Sequence, residues 1–327
     1  MKINAAIIGM GIGWKHFEAI EELNNCTVKI ICEKDPKKIK YLLKKFPNKI
    51  ITSNENKIFK DKSINLVSIA SYDNYHYNQI IKCIKYKKHI IVEKPMCLNL
   101  KHLKNIRKLI NKNKNIKISS NLVLRVNSLF QHFKKNVNKK SLFYLEADYN
   151  WGRKYKLFGW RSKIKDYSII SGAAIHMIDL INWMTSLKPK SVYAIGTKKP
   201  TINSNFKKQS MVVILLKFSN GIIAKIAVNG AGIYKHFHEV KIFSNEKTLV
   251  NSRLGSFVQD RKKISKLSFS YPDKKNRKKF IKNFIKSISN NKIKPPITLK
   301  EQIDLMTICF AADTSAALNK KIKINYL

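Results

Sequence analysis

The sequence is short of acidic residues, and this shortage sets its charge. Its 327 residues include 20 Asp and Glu against 65 Lys and Arg, which gives a formal net charge of +45 at pH 7. A charge of this size favours a nucleic-acid or anionic-membrane partner. Nucleic-acid binders concentrate their charge in one patch, whereas lysine here is spread over nearly every segment, with abundant isoleucine and asparagine. We therefore interpret the charge as a basic solvated surface set by AT-rich codon usage, and we predict no nucleic-acid partner.

Paired cysteines, long apolar runs and a cleavage site are also lacking. None of the five cysteines forms a C-x-x-C pair, so the sequence signals neither a zinc site nor a redox motif, and we predict no metal. No apolar run approaches the roughly 20 residues that a membrane span needs. No small-residue cleavage site follows the apolar N-terminal stretch. We expect a reduced protein that is located in the cytoplasm and has no membrane partner.

Short apolar runs alternate with amphipathic stripes in the first part of the chain. Ile3 to Ile8 is nearly all apolar and ends in glycine, which is typical of a parallel strand buried on both faces. A helical stripe follows it, and strand and helix then alternate as far as Asn121. This alternation predicts an α/β fold with right-handed crossovers. We predict that residues 1–121 form a Rossmann domain, a doubly wound parallel sheet that binds NAD(P).

The rhythm changes after residue 121, where long strands are joined by short turns such as Ser219-Asn220-Gly221. Short turns favour antiparallel neighbours. Residues 122–327 are therefore predicted to form an α+β domain with a large, mostly antiparallel open sheet that serves substrate binding and oligomerisation. Met211 to Leu216 is apolar on both alternating sets of side chains, so neither face of that strand should meet water. We expect helices on one face and a second subunit on the other, in a homo-oligomer that is a dimer or a tetramer.

A glycine-rich turn lies between the first strand and the first helix. The pattern Gly9-x-Gly11-x-Gly13, with Ile12 inside it, stands where a dinucleotide fingerprint requires it. Its backbone amides and the helix dipole can hold a pyrophosphate. The usual third glycine would fall at Trp14, and we assign its role to Gly13. Glu33 ends the next strand, where an acid bonds the ribose hydroxyls and repels the extra phosphate of NADP. We therefore predict NAD as the cofactor rather than NADP, although a solvated glutamate is the alternative for Glu33.

Three further polar side chains follow the fourth predicted strand. Ser71, Asn74 and His76 lie where that strand passes into a helix, and we predict that they line the diphosphate and the nicotinamide ribose of the cofactor. Asp73 or Asn74 would also suit a helix cap. His76 taken alone is more often a packing or capping histidine than a catalyst.

Two titratable groups are the candidates for proton transfer. Lys94 follows the buried strand that ends in Ile91-Val92-Glu93, so it is presented to the cofactor crevice. His176 lies on a predicted helix from about Ala173 to Met184, three residues before Asp179. Removing a hydride from a carbinol also requires loss of the hydroxyl proton, which an imidazole or a desolvated lysine can accept. A neighbouring oxidised nicotinamide is positive and should depress the pKa of the lysine.

These residues together resemble the Gfo/Idh/MocA oxidoreductases over nearly the whole chain. The resemblance implies NAD(P)-dependent redox chemistry at a hydroxyl of a sugar, cyclitol or nucleotide sugar. It implies that Lys94 and His176 are catalytic and that Trp160 and Arg161 reach the cofactor from the second domain. The matching segments are Gly9–Gly13 with His16, Cys32–Pro36, Ala70–His76, Glu93-Lys94-Pro95, Asn121–Arg125, Glu146–Tyr149, Trp160-Arg161, and His176 with Asp179.

One departure concerns the position four residues before His176. Many members of the family have an aspartate there, and this chain has Gly172. Asp179 or Tyr167 could compensate, and these two, with Arg125, Lys94 and His176, are the predicted substrate contacts. Glu93 and Lys94 complete the predicted cofactor contacts.

We therefore predict an NAD-dependent dehydrogenase or reductase of a polyol, sugar or nucleotide sugar. The alternative is a non-catalytic NAD-binding sensor or scaffold. A positive field should also help the protein collect a phosphorylated or nucleotide-linked substrate.

Overall fold

Two units make up residues 2–327, the part of the chain that the computed structural model describes. The first holds the residues up to Val123 together with Lys274–Ile303, and the second holds Leu124–Asp273 and Asp304–Leu327. The predicted domains differ from these units mainly at residues 274–303. The sequence predicts these residues in the second domain, whereas they belong to the first unit. The roles assigned to the two domains stay a prediction.

The elements are numbered in chain order. The strands are β1 (Ile3–Ile8), β2 (Cys26–Cys32), β3 (Ile50–Thr52), β4 (Leu66–Ile69), β5 (His89–Val92), β6 (Ile118–Ser120), β7 (Leu142–Asn150), β8 (Pro189–Thr197), β9 (Met211–Phe218), β10 (Ile223–Asn229), β11 (Phe237–Ser244), β12 (Lys247–Ser252), β13 (Gly255–Asp260), β14 (Ile264–Lys266) and β15 (Ile322–Lys323). The helices are α1 (Gly13–Glu21), α2 (Pro36–Lys45), α3 (Asn56–Lys60), α4 (His76–Lys85), α5 (Leu100–Lys112), α6 (Ser128–Asn136), α7 (Tyr155–Phe158), α8 (Ile175–Thr185), α9 (Asn276–Ser289) and α10 (Leu299–Leu318). Short 3-10 turns occur at Val123–Val126, Trp160–Lys163 and Lys199–Thr201, and a π-helical turn occurs at Ile170–Ala174.

Six parallel strands form the sheet of the first unit, in the order β3-β2-β1-β4-β5-β6. The order reverses between β1 and β4, and open α/β sheets bind ligands at the carboxyl ends of the strands beside such a reversal. Ile7, Leu66 and Ile91 have no solvent exposure, as expected for strands covered on both faces. The predicted doubly wound parallel sheet is confirmed.

A lysine-rich segment starts at Lys274 and leads into α9. Within the first unit, Lys278 and Lys282 on α9 bind Glu22 at the end of α1, the latter at 2.7 Å. Hydrogen bonds from these two lysines lower the pKa of Glu22 to about 2. The sequence pattern showed the charges but not their acidic partners, which are over 250 residues away in the chain.

Nine strands form the sheet of the second unit, in the order β14-β13-β12-β11-β7-β10-β9-β8-β15. The pair β7 and β10 is parallel, and the other neighbouring pairs are antiparallel. The Ser219-Asn220-Gly221 turn joins the antiparallel pair β9 and β10, as predicted. This is the large, mostly antiparallel open sheet that the sequence predicted, and the prediction is confirmed.

One face of β9 is covered within the chain and the other is not. Val212, Ile214 and Leu216 have no solvent exposure, whereas Leu215 is 41% exposed. The expectation that neither face meets water therefore fails for the chain by itself. The oligomer that would cover the open face stays a prediction. Within residues 2–327, no helix combines the length and the hydropathy that crossing a membrane requires.

Candidate active site

In the glycine turn of the first unit, two of the three glycines have no room for a side chain. Gly9 has a φ of +89°, and a Cβ there would lie 2.7 Å from the carbonyl oxygen of Ala70. A Cβ at Gly13 would approach Ile7 Cγ2 to 3.0 Å, so helix and strand pack as closely as the third glycine of the fingerprint allows. A Cβ at Gly11 would meet nothing within 4 Å. This open side is where a pyrophosphate would approach the backbone.

Glu33 lies beside this turn and is bonded to backbone amides. Its Oε2 accepts from the Met10 amide at 2.8 Å, and its Oε1 accepts from the amides of Lys34 at 2.7 Å and Asp35 at 3.1 Å. The ammonium of Lys38 is 3.9 Å from Oε2. The carboxylate thus ties the glycine turn to the end of β2. A carboxylate oxygen has two acceptor sites, so Oε2 retains one for a ribose hydroxyl.

Glu93, a predicted cofactor contact, turns its carboxylate into the protein. Its Oε1 accepts from Asn121 at 2.7 Å and Arg277 at 3.2 Å, and lies 3.0 Å from His16 Nε2. His16 Nδ1 lies 2.7 Å from the Ser68 hydroxyl. Burial opposes the charge, but Arg277 and His16 outweigh it and hold the pKa of Glu93 well below its usual range. We infer from these contacts that Glu93 anchors the end of β5 rather than touching the cofactor.

Lys94 comes directly after this anchored strand end and is half-buried. The Lys94–Pro95 peptide bond is cis. His76, another predicted cofactor contact, has no solvent exposure, and its ring nitrogens lie 2.7 Å from the Pro95 carbonyl and 3.1 Å from the Ser71 carbonyl. His76 therefore links the loop after β4 to the turn that carries Lys94, which is a positioning contact.

The loop after β4 differs in part from its prediction. The Ser71 hydroxyl donates to Gln79 at 2.7 Å, and Asn74 is exposed. The N-cap residue of α4 is Tyr75, whose side chain makes no capping hydrogen bond, so neither Asp73 nor Asn74 is the N-cap residue.

In the second unit, His176 sits near the start of α8. Of residues 171–180, only His176 keeps partial solvent exposure, and the other nine are buried. The predicted helix from about Ala173 is a π-helical turn up to Ala174 and an α-helix from Ile175. Asn182 and Trp183, further along α8, are also half-buried, so His176 is the one partly exposed group in the first turns of the helix, where a substrate could meet it.

Four aromatic side chains that the sequence interpretation did not assign to the site lie around His176. The Tyr149 ring is 6.1 Å from the His176 ring, and His238 is 6.2 Å from it. His236 is 5.3 Å from Tyr149 and 5.0 Å from His238. His238 Nδ1 lies 2.6 Å from the Tyr271 hydroxyl. The available signal was the His236-x-His238 pattern, in which His236 precedes β11 and His238 lies on it.

Burial favours the uncharged form of three members of this cluster, His236, His238 and Tyr271. Burial first, and then the charge of Arg153, lower the pKa of His236 to about 4. Burial also lowers the pKa of His238 well below its usual value, and raises the pKa of Tyr271 well above its own. No group of three or more His, Cys, Asp or Glu side chains within residues 2–327 could hold a metal ion.

Tyr167 fills the space beside Gly172. A Cβ at residue 172 would lie 2.7 Å from Tyr167 Cζ, and Tyr167 is 1% exposed. The phenol thus stands where a side chain at the family's aspartate position would begin. Of the two predicted substitutes for that aspartate, Tyr167 is the one next to Gly172.

Asp179 and Arg125 instead bind each other. Arg125 Nη2 is 2.7 Å from Asp179 Oδ1, and Arg125 Nε is 3.0 Å from Oδ2. Both residues are buried, at 4% and 2% exposure. This paired geometry accounts for both charges, so we propose for them a role in positioning α8 rather than in substrate contact.

Trp160 and Arg161 lie together, as the predicted pair. The Arg161 guanidinium is 4.0 Å from the Trp160 ring, 5.3 Å from Trp151 and 5.9 Å from Tyr167. Cation–π contacts of this kind hold a guanidinium in place while leaving its donors available.

Comparisons with known proteins agree with the two-unit fold. The family model described as "Oxidoreductase family, NAD-binding Rossmann fold" matches residues 3–121, and the model described as "GFO/IDH/MocA C-terminal domain" matches residues 141–250. Myo-inositol 2-dehydrogenase of Thermotoga maritima is 22% identical over 256 residues, which are 73% of this chain and 72% of the relative. The uncharacterized oxidoreductase YrbE of Bacillus subtilis is 24% identical, over 99% of this chain and 97% of the relative.

Solved structures give the same result at the level of the fold. Myo-inositol 2-dehydrogenase of Lactobacillus plantarum aligns with a TM-score of 0.82 at 19% identity, over 99% of this chain and 100% of the other. Scyllo-inositol dehydrogenase of Lactobacillus casei, solved with NAD(H) and scyllo-inositol, aligns with a TM-score of 0.83 at 17% identity, over 99% of each chain. At these identities the likeness shows a shared fold.

Proposed function

The chain belongs to the Gfo/Idh/MocA family of NAD-binding oxidoreductases, and from this premise we propose that it transfers a hydride between a nicotinamide cofactor and a hydroxyl or keto group of a sugar, cyclitol or nucleotide sugar. One observation carries the proposal. The glycine turn after β1, Glu33 after β2 and Lys94 after β5 all lie at the carboxyl ends of strands in one parallel sheet. That edge is where open α/β sheets bind dinucleotides.

Residues of the first unit fit the cofactor. The amides of the glycine turn would hold the diphosphate on the open side of Gly11, and the free acceptor site of Glu33 would receive a ribose hydroxyl. Trp160 and Arg161 are the cofactor contacts that we propose from the second unit. The nicotinamide, when bound, supplies the hydride acceptor or donor.

Proton transfer is assigned to Lys94 and His176. Oxidation of a carbinol releases the hydroxyl proton, and a lysine amine or an imidazole can accept it. Lys94 is half-buried at an anchored strand end, and His176 is half-buried near the start of α8, between buried neighbours. Partial burial lets a titratable group touch a substrate while limiting competition from water. The joint action of the two residues stays a prediction.

The relatives favour a cyclitol among the candidate substrates. Curated and structural relatives are described as myo-inositol or scyllo-inositol dehydrogenases. We therefore propose a ring that carries several hydroxyl groups as the core of the substrate.

We propose NAD as the preferred cofactor because the Glu33 carboxylate lies beside the predicted ribose site, where it would repel a 2′-phosphate. Lys38, 3.9 Å away, offsets part of that repulsion. The test is the formation of reduced cofactor from myo-inositol, scyllo-inositol, glucose and UDP-glucose, with NAD and NADP in parallel. A higher kcat/KM with NADP than with NAD would overturn the cofactor assignment.

Replacing Lys94 tests the catalytic assignment. Lys94→Ala is expected to lower kcat by about 100-fold or more, since general acid–base groups contribute roughly 10²–10⁴-fold, while the Kd for NAD stays within about threefold. The matched control is Lys101→Ala, which removes an exposed lysine on α5 and should leave both values unchanged. Unchanged turnover in Lys94→Ala would refute the assignment.

Gly172 favours a second candidate function, a non-catalytic NAD-binding sensor or scaffold, because the family's aspartate is missing. NAD binding without turnover of any polyol, sugar or nucleotide sugar would support that candidate.

A further inference from the structure

A cavity of about 620 Å³ opens in the second unit. Three segments line it: the residues that follow β7, the loop between β10 and β11, and the turn between β12 and β13. Each segment contributes one cation, and these are Lys154, Lys235 and Arg253. The volume falls in the range of small-molecule sites, roughly 300–1,000 Å³, so the cavity can hold a group of ligand size.

The cations that line this cavity make no ion pair in the described part of the chain. Within residues 2–327, the ion pairs of 4.0 Å or less include none of Lys154, Lys235 and Arg253. The Glu239 carboxylate accepts, at 3.4 Å, from the hydroxyl of Tyr234, another lining residue. An anion bound in the cavity would be attracted by all three cations.

More positive charge lies just beside the cavity. Burial lowers the pKa of Lys156, and the positive charges of Arg153 and Arg161 lower it further. Arg153 likewise helps to lower the pKa of His236. The segment 153–161 therefore extends the positive field from the cavity toward His236.

Arg253 is held in place before any ligand arrives. Its guanidinium lies 4.6 Å from the Tyr234 ring and 5.0 Å from the Phe237 ring, and its Nη2 donates to the Lys235 carbonyl. Arginine presents a planar set of donors that matches a phosphate. A guanidinium fixed in this way loses less conformational freedom on binding than a mobile one.

The cavity adjoins the histidine cluster of the same unit. Gly152, which lines the cavity, packs so closely on the loop before β11 that a Cβ there would lie 2.9 Å from the His236 amide nitrogen. The His236 ring is 5.3 Å from Tyr149, which is 6.1 Å from His176. His236 and Tyr149 thus connect the cavity with His176.

We propose that this cavity binds the phosphate of the substrate, so that the enzyme acts on a phosphorylated sugar or cyclitol or on a nucleotide-linked sugar rather than on a neutral polyol. A neutral ring offers nothing to balance the three cations that line the cavity, whereas a phosphate ester would balance them with its hydroxyl-bearing ring toward the histidine cluster. This inference rests on the proposed function and narrows its substrate class.

The experiment compares substrates in matched pairs: myo-inositol with myo-inositol 1-phosphate, and glucose with glucose 6-phosphate and UDP-glucose. The expected result is a kcat/KM at least tenfold higher for a phosphorylated member, mainly through a lower KM. Arg253→Gln should lower kcat/KM for that member at least tenfold more than for its neutral partner, and Lys235→Gln should act in the same direction. Arg261→Gln, an exposed arginine beyond β13, is the control and should change neither.

Equal efficiency on both members of each pair, or an equal loss for both in Arg253→Gln, would overturn the proposal. Whichever of the monophosphate and the nucleotide sugar gives the higher efficiency identifies the source of the phosphate. Direct calorimetric titration of inorganic phosphate and of glucose 6-phosphate tests the cavity without turnover, with the same three variants. Binding that Arg253→Gln weakens would uphold the site even if no substrate were oxidised, in which case only the proposed reaction would fail. Absence of binding to the wild-type protein would overturn the site itself.

Discussion

A tyrosine occupies the space that a side chain at residue 172 would need. Tyr167 is buried, and its ring closes on Gly172 at the π-helical turn before α8. The ring of Tyr167 leaves room only for glycine at residue 172. The absence of an aspartate there is therefore matched by the presence of the tyrosine. The hydroxyl-bearing end of Tyr167 lies near the helix that carries His176, and for this reason we favour an active enzyme over a scaffold.

The side chain of Asp313 gives a prediction of how the stability of the protein depends on pH. Burial raises its pKa to about 7, and the Ser168 hydrogen bond and the charge of Lys208 reverse this only in part. The unfolded chain releases this proton near the ordinary value of 3.8, so the folded state is penalised increasingly as pH rises from about 4 to 7. Asp313→Asn should remove the penalty and stabilise the protein at pH 8 by on the order of 2 kcal/mol, about half of the full shift, because the side chain keeps some solvent contact.

Urea unfolding at pH 4.5 and at pH 8 measures this effect. The variant and the wild type should differ little at pH 4.5 and diverge by pH 8. Asp260→Asn is the control, because the Lys262 and Lys263 amides lower the pKa of that exposed carboxyl, so it titrates below this window. An equal effect of Asp313→Asn at both pH values would contradict the account.

At the scale of secondary-structure elements, a buried ion pair holds α8 in position. Arg125 lies in the turn before α6 and reaches Asp179 on α8 with a two-pronged contact. Removing one member leaves the other charge buried without this ion pair. Arg125→Met is therefore expected to lower the free energy of unfolding by about 3 kcal/mol or more.

The double variant Arg125→Met/Asp179→Leu separates pairing from burial. It should recover most of the lost stability, because apolar replacements of a buried pair are often neutral or stabilising. Urea unfolding measures both variants. If the pair only positions α8, the double variant should also recover KM for substrate while kcat stays lower. A KM that remained raised would instead assign Arg125 or Asp179 to the substrate.

Individual helices and strands also show where the local sequence pattern predicts secondary structure and where it does not. Gly172 and Tyr167 come together at the π-helical turn before α8, and no periodicity signals this contact. Strands β13 and β14, by contrast, have only exposed or half-buried side chains. They lack the apolar alternation from which strands are predicted, and so only their pairing identifies them.

The whole molecule presents an open sheet face to solvent. Ile195 is 51%, Leu215 41% and Ile223 44% exposed on that face, and Val213 pairs with Ile195 across the β8–β9 ladder. Lys217 and Lys225 pair with Ile223 and Leu215 on the same face, so the exposed side chains form an apolar patch with charged neighbours. Such a patch is typical of an interaction site. We predict a dimer or a tetramer that buries this face.

Light scattering at working concentration measures the assembly directly. Leu215→Asp should shift the mass toward that of one chain, because it places an uncompensated charge in the predicted contact. Leu43→Asp, on the exposed side of α2 and 53% exposed in the chain, should leave the mass unchanged. A wild-type protein that already has the mass of one chain would contradict the prediction.

The sequence by itself determined the class of the fold and the cofactor turn. The strand and helix periods, the glycine spacing and the acid after β2 are local features. Local features depend on residues that are near in the sequence, and so they can be read without knowing the distant contacts. Tertiary structure alone decided the partners. Glu93 binds Arg277, which is 184 residues away in the chain. Tyr149 contacts His238 because β7 and β11 pair. The same pairing places the cavity lined by Lys154, Lys235 and Arg253 beside these two residues. Such contacts depend on topology, because residues distant in sequence meet only where strand order and loop paths bring them together.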